Sequence, residues 1–277
     1  MAPEQILVLG LVAGGTIFLG LPLGRFRAGA RPRAFLSAAA VGILLFLFWD
    51  VVTAAFETIE DALHAAVDGS GAWSEFATLA LTGVVGLAVA LLGLVAYDRR
   101  VAARRNTGIG PGAASVAEFA PGRAGVAASE LAVLIAVGIG LHNFAEGLAI
   151  GQSAAAGQIA FALTLVIGFA LHNATEGFGI VAPLAGQAER PSWPFLGVLG
   201  LIGGGPTALG TLVGQAWVNT TVSVAFLGLA AGSILYVINE LQGVNRAFGL
   251  KVLVTAGMLV GLLLGFGTDL VLDAVGG

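Results

Sequence analysis

The sequence contains no cysteine, which excludes both a disulfide framework and a metal site built from thiolates. Charged residues are also scarce, at 10% of the chain, whereas soluble domains average about 25%. Hydrophobic residues instead make up 57% of the sequence, and apolar stretches near the length of a membrane-spanning helix recur throughout it. We therefore interpret residues 1–277 as a single all-α integral membrane domain, with little room for a soluble one.

Several motifs of energy-driven or hydrolytic proteins are missing as well. The sequence has no phosphate-binding loop of the form Gly-x-x-x-x-Gly-Lys-(Ser/Thr), so ATP is not the driver within this chain. It also has no His-Glu-x-x-His motif and no Gly-x-Ser-x-Gly elbow. Because the N-terminus lacks a basic segment and a small-residue cleavage site, we expect the first apolar segment to be a retained span.

Apolar length predicts eight membrane-spanning helices, since about 20 residues cross the ~30 Å hydrocarbon layer. The predicted spans are residues 5–24, 34–56, 76–97, 129–151, 158–184, 193–217, 221–242 and 250–272.

The basic residues indicate an orientation for these spans. Eleven of the 12 Lys and Arg residues fall in the odd-numbered loops, and Lys251 lies at the edge of the seventh loop, at the start of span 8; the positive-inside rule places these loops in the cytoplasm. We therefore expect a multi-pass protein of the plasma membrane with both termini outside. The longest loop, residues 98–128, is rich in Gly, Ala and Arg, so we expect it to be a mobile cytoplasmic segment.

One polar frame, Leu-His-Asn-x-x-Glu-Gly, occurs twice in apolar surroundings, beginning at Leu141 in span 4 and at Leu171 in span 5. On a helix, its His, Asn and Glu project to one face. A short turn near Gly157 joins the two spans, so we expect them to pack antiparallel with both copies at similar depth in the bilayer. Two imidazoles, two amides and two carboxylates can then face one another.

This combination of side chains suits a divalent transition metal ion such as Zn²⁺, Fe²⁺, Mn²⁺ or Cd²⁺. A charged group near the middle of a membrane is costly, so two carboxylates there need a compensating cation. A simpler interpretation is that His–Glu hydrogen bonds lock two helices together without an ion. Duplication of the whole frame at matching depth favours the metal site, whose predicted ligands are His142, Asn143, Glu146, His172, Asn173 and Glu176.

Two further acidic residues lie in apolar spans, Asp50 in span 2 and Glu240 in span 7. Either could be an additional metal ligand. Glu240 could instead accept a proton, pair with a histidine, or reach the lipid headgroups or Arg246. Beyond Asp50, an acidic stripe continues at helical spacing; it either concentrates cations at the outer mouth or is a solvated helix end. The stripe consists of Glu57, Glu60, Asp61 and His64.

A second, weaker repeat relates residues 14–20 in span 1 to residues 204–210 in span 6. The two spans run in opposite directions under the predicted topology, which is typical of an inverted-repeat transporter. The corresponding architecture is three spans, a central pair formed by spans 4 and 5, and three more spans. Chance similarity in a chain rich in Gly and Leu is the alternative.

The paired His-Asn-x-x-Glu-Gly motifs in an eight-span chain resemble the ZIP family of divalent metal transporters, most closely its prokaryotic branch. The resemblance implies movement of metal toward the cytoplasm and a homodimer. The metal, zinc first and then iron, manganese or cadmium, would be the transported substrate, with no organic cofactor, no nucleic-acid partner and no enzymatic activity. The residues implied as metal ligands are His142, Asn143 and Glu146 in span 4 and His172, Asn173 and Glu176 in span 5.

Two departures from the family pattern change these expectations. The family usually has proline before the glutamate, whereas this chain has Ala145 and Thr175, which predicts straighter helices. Relatives with a two-metal centre carry a carboxylate in span 6, where this chain offers Thr207. We therefore predict one tightly bound metal ion per protomer.

The main alternative function is an intramembrane metal-dependent hydrolase, since the same ligands suit a catalytic metal and a glutamate could activate water. The missing hydrolase motifs and the duplicated, inverted layout favour transport. The residues do not separate a carrier from a channel or a metal sensor.

Overall fold

The computed structural model describes residues 1–25, 29–105, 128–184, 189–217 and 219–276, and it builds them into helices joined by short connections. The α-helices are α1 (Pro3–Gly15), α2 (Ile17–Gly20), α3 (Ala30–Val67), α4 (Trp73–Arg105), α5 (Ala128–Ala155), α6 (Ile159–Val181), α7 (Trp193–Ala216), α8 (Thr220–Ala247) and α9 (Lys251–Gly276), with 3-10 turns at Leu21–Arg25 and Ala182–Leu184.

Seven helical segments in the described ranges are long and apolar enough to cross a membrane. They are Pro3–Arg25, Ala30–Val67, Trp73–Tyr97, Ala128–Ala155, Ile159–Leu184, Trp193–Ala216 and Thr220–Ala247. The predicted eighth span falls in α9, where the apolar stretch Lys251–Gly267 is shorter. The all-helical, multi-pass class predicted from composition is therefore confirmed at this level.

Two helices continue beyond the spans predicted from apolar length. Helix α3 has 38 residues and carries the acidic stripe on its C-terminal half, where Gly69, with φ of 74°, follows the helix end. Helix α4 runs to Arg105 and so includes the first residues of the predicted loop 98–128. The rest of that loop, residues 106–127, lies outside the described residues.

Loops predicted on the cytoplasmic side meet at one end of the bundle. Arg25, after span 1, donates a hydrogen bond to the carbonyl of Pro191, before α7, and its guanidinium lies 4.7 Å from the ring centroid of Trp193. Arg33 in α3 lies over the ring of Phe248, which follows α8. These cation–π contacts bring together the first, fifth and seventh loops of the predicted topology.

Glycines let the helices of the core approach through their backbones. A Cβ atom at Gly14 in α1 would collide with the carbonyl of Gly204 in α7, and one at Gly204 would collide with the carbonyl of Gly14. Gly210 in α7 packs in the same way on α5, and Gly147 in α5 packs on the carbonyl of Thr207. Helix α5 is consequently held closely against α7, its most extensive neighbour.

Helices α5 and α6 run through the two motif copies without interruption, where this chain has Ala145 and Thr175. The irregular helices are their neighbours. Helix α1 ends at Gly15 and is followed by the single turn α2, and α7 contains Pro206 in its interior. Backbone irregularity is therefore found beside the motif helices and not within them.

Candidate metal centre

The described polar side chains of both copies are buried in the bundle. His142, Asn143 and Glu146 on α5 are each at most 5% exposed, and Asn173 and Glu176 on α6 are at most 1% exposed. The backbone of His172 belongs to α6, and its side chain lies outside the described part of the structure. Close helix approach at the glycine contacts creates this burial despite five polar side chains.

Within the first copy, His142 Nε2 lies 3.3 Å from Glu146 Oε1. The residues are four positions apart on α5, so the helix itself brings the imidazole and the carboxylate together. This contact was expected from the sequence spacing. It is also the contact that the simpler, metal-free interpretation requires.

An amide–carboxylate hydrogen bond joins the two copies. Asn143 Nδ2 on α5 lies 3.0 Å from Glu176 Oε2 on α6. The same nitrogen lies 3.0 Å from the backbone carbonyl oxygen of Gly203 on α7. The buried side chain of Asn143 on α5 therefore links this helix to both α6 and α7.

The second copy repeats this arrangement on the opposite side. Asn173 Nδ2 on α6 donates to the backbone carbonyl oxygen of Ala13 on α1, at 3.0 Å, and the Asn173 side chain interacts with the carboxylate of Glu146 on α5. Each asparagine thus contacts the glutamate of the other copy and the main chain of a flanking helix.

Several buried oxygen atoms of the centre have no hydrogen-bond partner among the described residues. Burying an unpaired polar atom is unfavourable, and a cation bound between these atoms would offset that cost. The atoms are Asn143 Oδ1, Glu146 Oε2 and Asn173 Oδ1.

The charged side chains that the structure describes do not form a preformed metal-binding cluster. Among the side chains that the structure describes, no three His, Asp or Glu groups stand close enough together to hold a metal ion. The His172 imidazole is not one of those side chains, and the amide oxygens of Asn143 and Asn173 are ligands of another type. A complete coordination sphere would therefore need His172, the amide oxygens, or movement of the carboxylates.

Of the two additional candidates, Asp50 is the one associated with the motif. It is half-buried on α3 and interacts electrostatically with His142, Glu146 and Glu57. Glu240 is half-buried on α8, next to the exposed Asn239. The structure thus brings Asp50 toward the first copy, and it places Glu240 on α8.

Sequence reasoning missed the two main-chain acceptors, the carbonyl groups of Ala13 and Gly203. Every residue type has a backbone carbonyl, so a motif defined by side chains could not identify these two. The weak repeat could have done so, because Ala13 directly precedes Gly14-Gly15 and Gly203 directly precedes Gly204-Gly205. The two acceptors therefore occupy the same position of the glycine-rich repeat.

Comparison with known proteins adds no relative to this description. The sequence matches no protein-family model and has no significant match among curated proteins. A proposal about function therefore rests on the buried geometry and the motif resemblance.

Proposed function

We propose that this chain is a secondary transporter that moves divalent transition metal ions, zinc first among them, across the plasma membrane toward the cytoplasm. The observation that carries the proposal is the buried pairing of the two His-Asn-x-x-Glu copies, joined by the hydrogen bond between Asn143 and Glu176. The pattern resembles the ZIP family, whose members transport such ions.

The donor atoms support a transported ion better than a structural lock. A lock needs only the contact between His142 and Glu146. It does not explain why the buried Oε2 atom of Glu146 lacks a hydrogen-bond partner in the described part of the chain. A site without thiolate ligands also releases zinc more readily than a cysteine site. Ready release is a requirement for a carrier.

Matched contacts support a 3+2+3 inverted repeat of eight spans, with α5 and α6 as the central pair. Asn143 and Asn173, at equal positions of the motif, bond to Gly203 and Ala13, at equal positions of the glycine-rich repeat. A symmetry operation that exchanges α5 with α6 would also exchange α7 with α1. Chance similarity between two glycine-rich segments would not produce corresponding hydrogen bonds.

The outer helices show the same correspondence. Gly42 on α3 packs against the carbonyl of Met258 on α9, and Gly232 on α8 packs against the carbonyl of Leu87 on α4. The α3–α9 and α4–α8 pairs are also similarly extensive. Exchange of span 2 with span 7 and of span 3 with span 8 converts one contact into the other, as an inverted repeat requires.

We further propose one metal ion per protomer. Thr207 takes the place of a span 6 carboxylate, so Glu146 and Glu176 are the acidic groups that the motif itself supplies. Two divalent ions a few ångströms apart would repel strongly with so little negative charge between them. Elemental analysis of zinc-equilibrated protein should give one ion per chain. Two strong anomalous peaks between α5 and α6 would contradict this and would implicate Asp50 or Glu240.

Flux through purified full-length protein in sealed liposomes tests the function. We expect uptake of zinc above that of empty liposomes, with smaller or comparable uptake of cadmium, manganese and iron. The matched control is Glu75→Gln, an exposed glutamate at the start of α4, which should transport like the wild type. No uptake of any of these ions would reject the transporter assignment.

A further inference from the structure

The orientation of the two asparagine amides follows from their partners. Asn143 faces a carboxylate oxygen of Glu176 and the carbonyl oxygen of Gly203, and an ionised carboxylate and a carbonyl are both acceptors. An amide has two N–H donors on its nitrogen and only acceptor capacity on its oxygen. The nitrogen of Asn143 must therefore face both partners, so both of its N–H groups are used.

Asn173 obeys the same constraint. Its nitrogen donates to the carbonyl oxygen of Ala13, and its side chain also contacts the Glu146 carboxylate. Aspartate, of equal size, would present acceptors to acceptors at either position, and an apolar residue would leave the carbonyl and the carboxylate unsatisfied. A carboxamide of this length is the neutral side chain that fits both demands.

We propose that Asn143 and Asn173 are positioning residues of the metal centre, each of which holds the glutamate of the opposite helix against the backbone of a flanking helix. Asn143 fixes Glu176 relative to α7, and Asn173 fixes Glu146 relative to α1. This inference rests on the proposed metal-transport function and differs from the expectation that the asparagines act as oxygen ligands. The asparagines act on the ion through the glutamates.

The two roles predict different dependence on the glutamates. A direct ligand contributes to metal affinity whether or not the glutamate is present. A positioning residue contributes only while the glutamate that it holds is there, because an absent side chain needs no orientation. Double-mutant cycles separate these cases, since they measure the dependence of one substitution on another.

The test uses zinc titration calorimetry on purified full-length protein in detergent. We expect Asn143→Ala to weaken zinc affinity about tenfold, as is common when a group that orients a ligand is removed. In a Glu176→Ala background, Asn143→Ala should cause no further loss. The control cycle pairs Asn143→Ala with Glu146→Ala, a glutamate that Asn143 does not hold, and there the tenfold loss should persist.

The mirror-image cycle makes the test independent of one variant. Asn173→Ala should couple to Glu146→Ala and not to Glu176→Ala. Melting temperature and size-exclusion profile establish that each variant is folded. Should Asn143→Ala fail to fold, Asn143→Ser, which keeps one donor, takes its place, and the Asn173 cycle tests the same rule.

The outcomes distinguish the inference from the function on which it rests. Equal loss from Asn143→Ala with and without Glu176 would overturn the positioning role and favour a direct oxygen ligand. Coupling of equal size in the held and control pairs would also overturn it, because the coupling would then be general to the site. Wild-type protein that neither binds zinc nor carries it into liposomes would instead defeat the proposed function.

Discussion

The two copies of the motif have the same polar residues and lie in different surroundings. In α5, 67% of the most apolar stretch is buried within the protein, compared with 29% in α6. Helix α5 is enclosed mainly by α7 and α8, whereas α6 packs on α5, α1, α2 and α9 through one side. Local chemistry is thus repeated by the sequence, while the burial of the rest of each helix depends on how extensively its neighbours cover it.

The exposed side of α6 is apolar, with Phe161, Leu163, Ile167 and Leu171 each more than 40% exposed. The opposite side carries Asn173 and is buried. Substitutions of the polar frame should therefore act equally in the two copies, whereas substitutions of apolar residues should act unequally.

The largest effect is expected from removing either carboxylate of the polar frame. Glu146→Ala and Glu176→Ala should each abolish most zinc uptake into liposomes, because each copy supplies one of the two negative charges of the motif. The variants should remain folded and inserted, and Glu75→Ala, at an exposed position, should transport normally. If both variants transported at the wild-type rate, the centre would be wrongly assigned. A defect in only one would break the equivalence of the copies.

Matched isoleucines test the difference in burial. Ile150 on α5 is 0% exposed and Ile167 on α6 is 48% exposed. Ile150→Ala should lower the free energy of unfolding by about 2–5 kcal/mol, as for other buried large-to-small changes. Ile167→Ala should change it by less than about 0.5 kcal/mol, as is usual for surface positions. Denaturation in detergent measures both, and losses of similar size would mean that the exposed side of α6 is covered in the assembled protein.

The effect of pH on zinc affinity can be measured to compare the histidines of the two copies. Metal binds neutral imidazole, whose ordinary pKa is about 6.5, so zinc affinity should fall as pH decreases from 8 to 5. His142→Ala and His172→Ala should each make this dependence shallower, and to the same extent. Calorimetry at four pH values would measure it. An affinity independent of pH in the wild type would show that neither imidazole is a ligand.

The smallest effect is expected outside both copies, on the C-terminal half of α3, which the predicted topology places outside the cell. Replacing Glu57, Glu60 and Asp61 by their amides should raise the half-saturating zinc concentration a few-fold at low ionic strength and leave the maximal rate unchanged. Exposed carboxylates concentrate cations, and salt screens them. A lower maximal rate with unchanged half-saturation would place these residues on the transport path and not at its mouth.

The sequence predicted the features that depend on residue type and spacing. The helical membrane class and the contact between His142 and Glu146 follow from apolar length and from the i, i+4 spacing. The apolar span was predicted to end at residue 56, and the spacing of the acidic residues beyond it indicated that the helix continues. In the structure α3 is helical to Val67.

Other features depend on which helices become neighbours. The bond between Asn143 and Glu176 required two helices to meet in one register, which the motif copies made predictable in outline. The contacts to Ala13 and Gly203 required the positions of α1 and α7 as well. Those positions are determined by backbone packing at glycines, whose geometry the residue pattern does not specify.

Two partners of the centre contribute main-chain atoms, and this affects how the centre tolerates variation. The carbonyl groups of Ala13 and Gly203 remain whatever side chain is attached to them, so no substitution can delete them. Selection at these two positions therefore acts on volume. A Cβ at Gly203 would press on the side-chain tips of Ile17 and Ile180, and Ala13 is fully buried. A mutational scan would thus register both positions as small-residue packing sites and would overlook their role as hydrogen-bond acceptors of the centre.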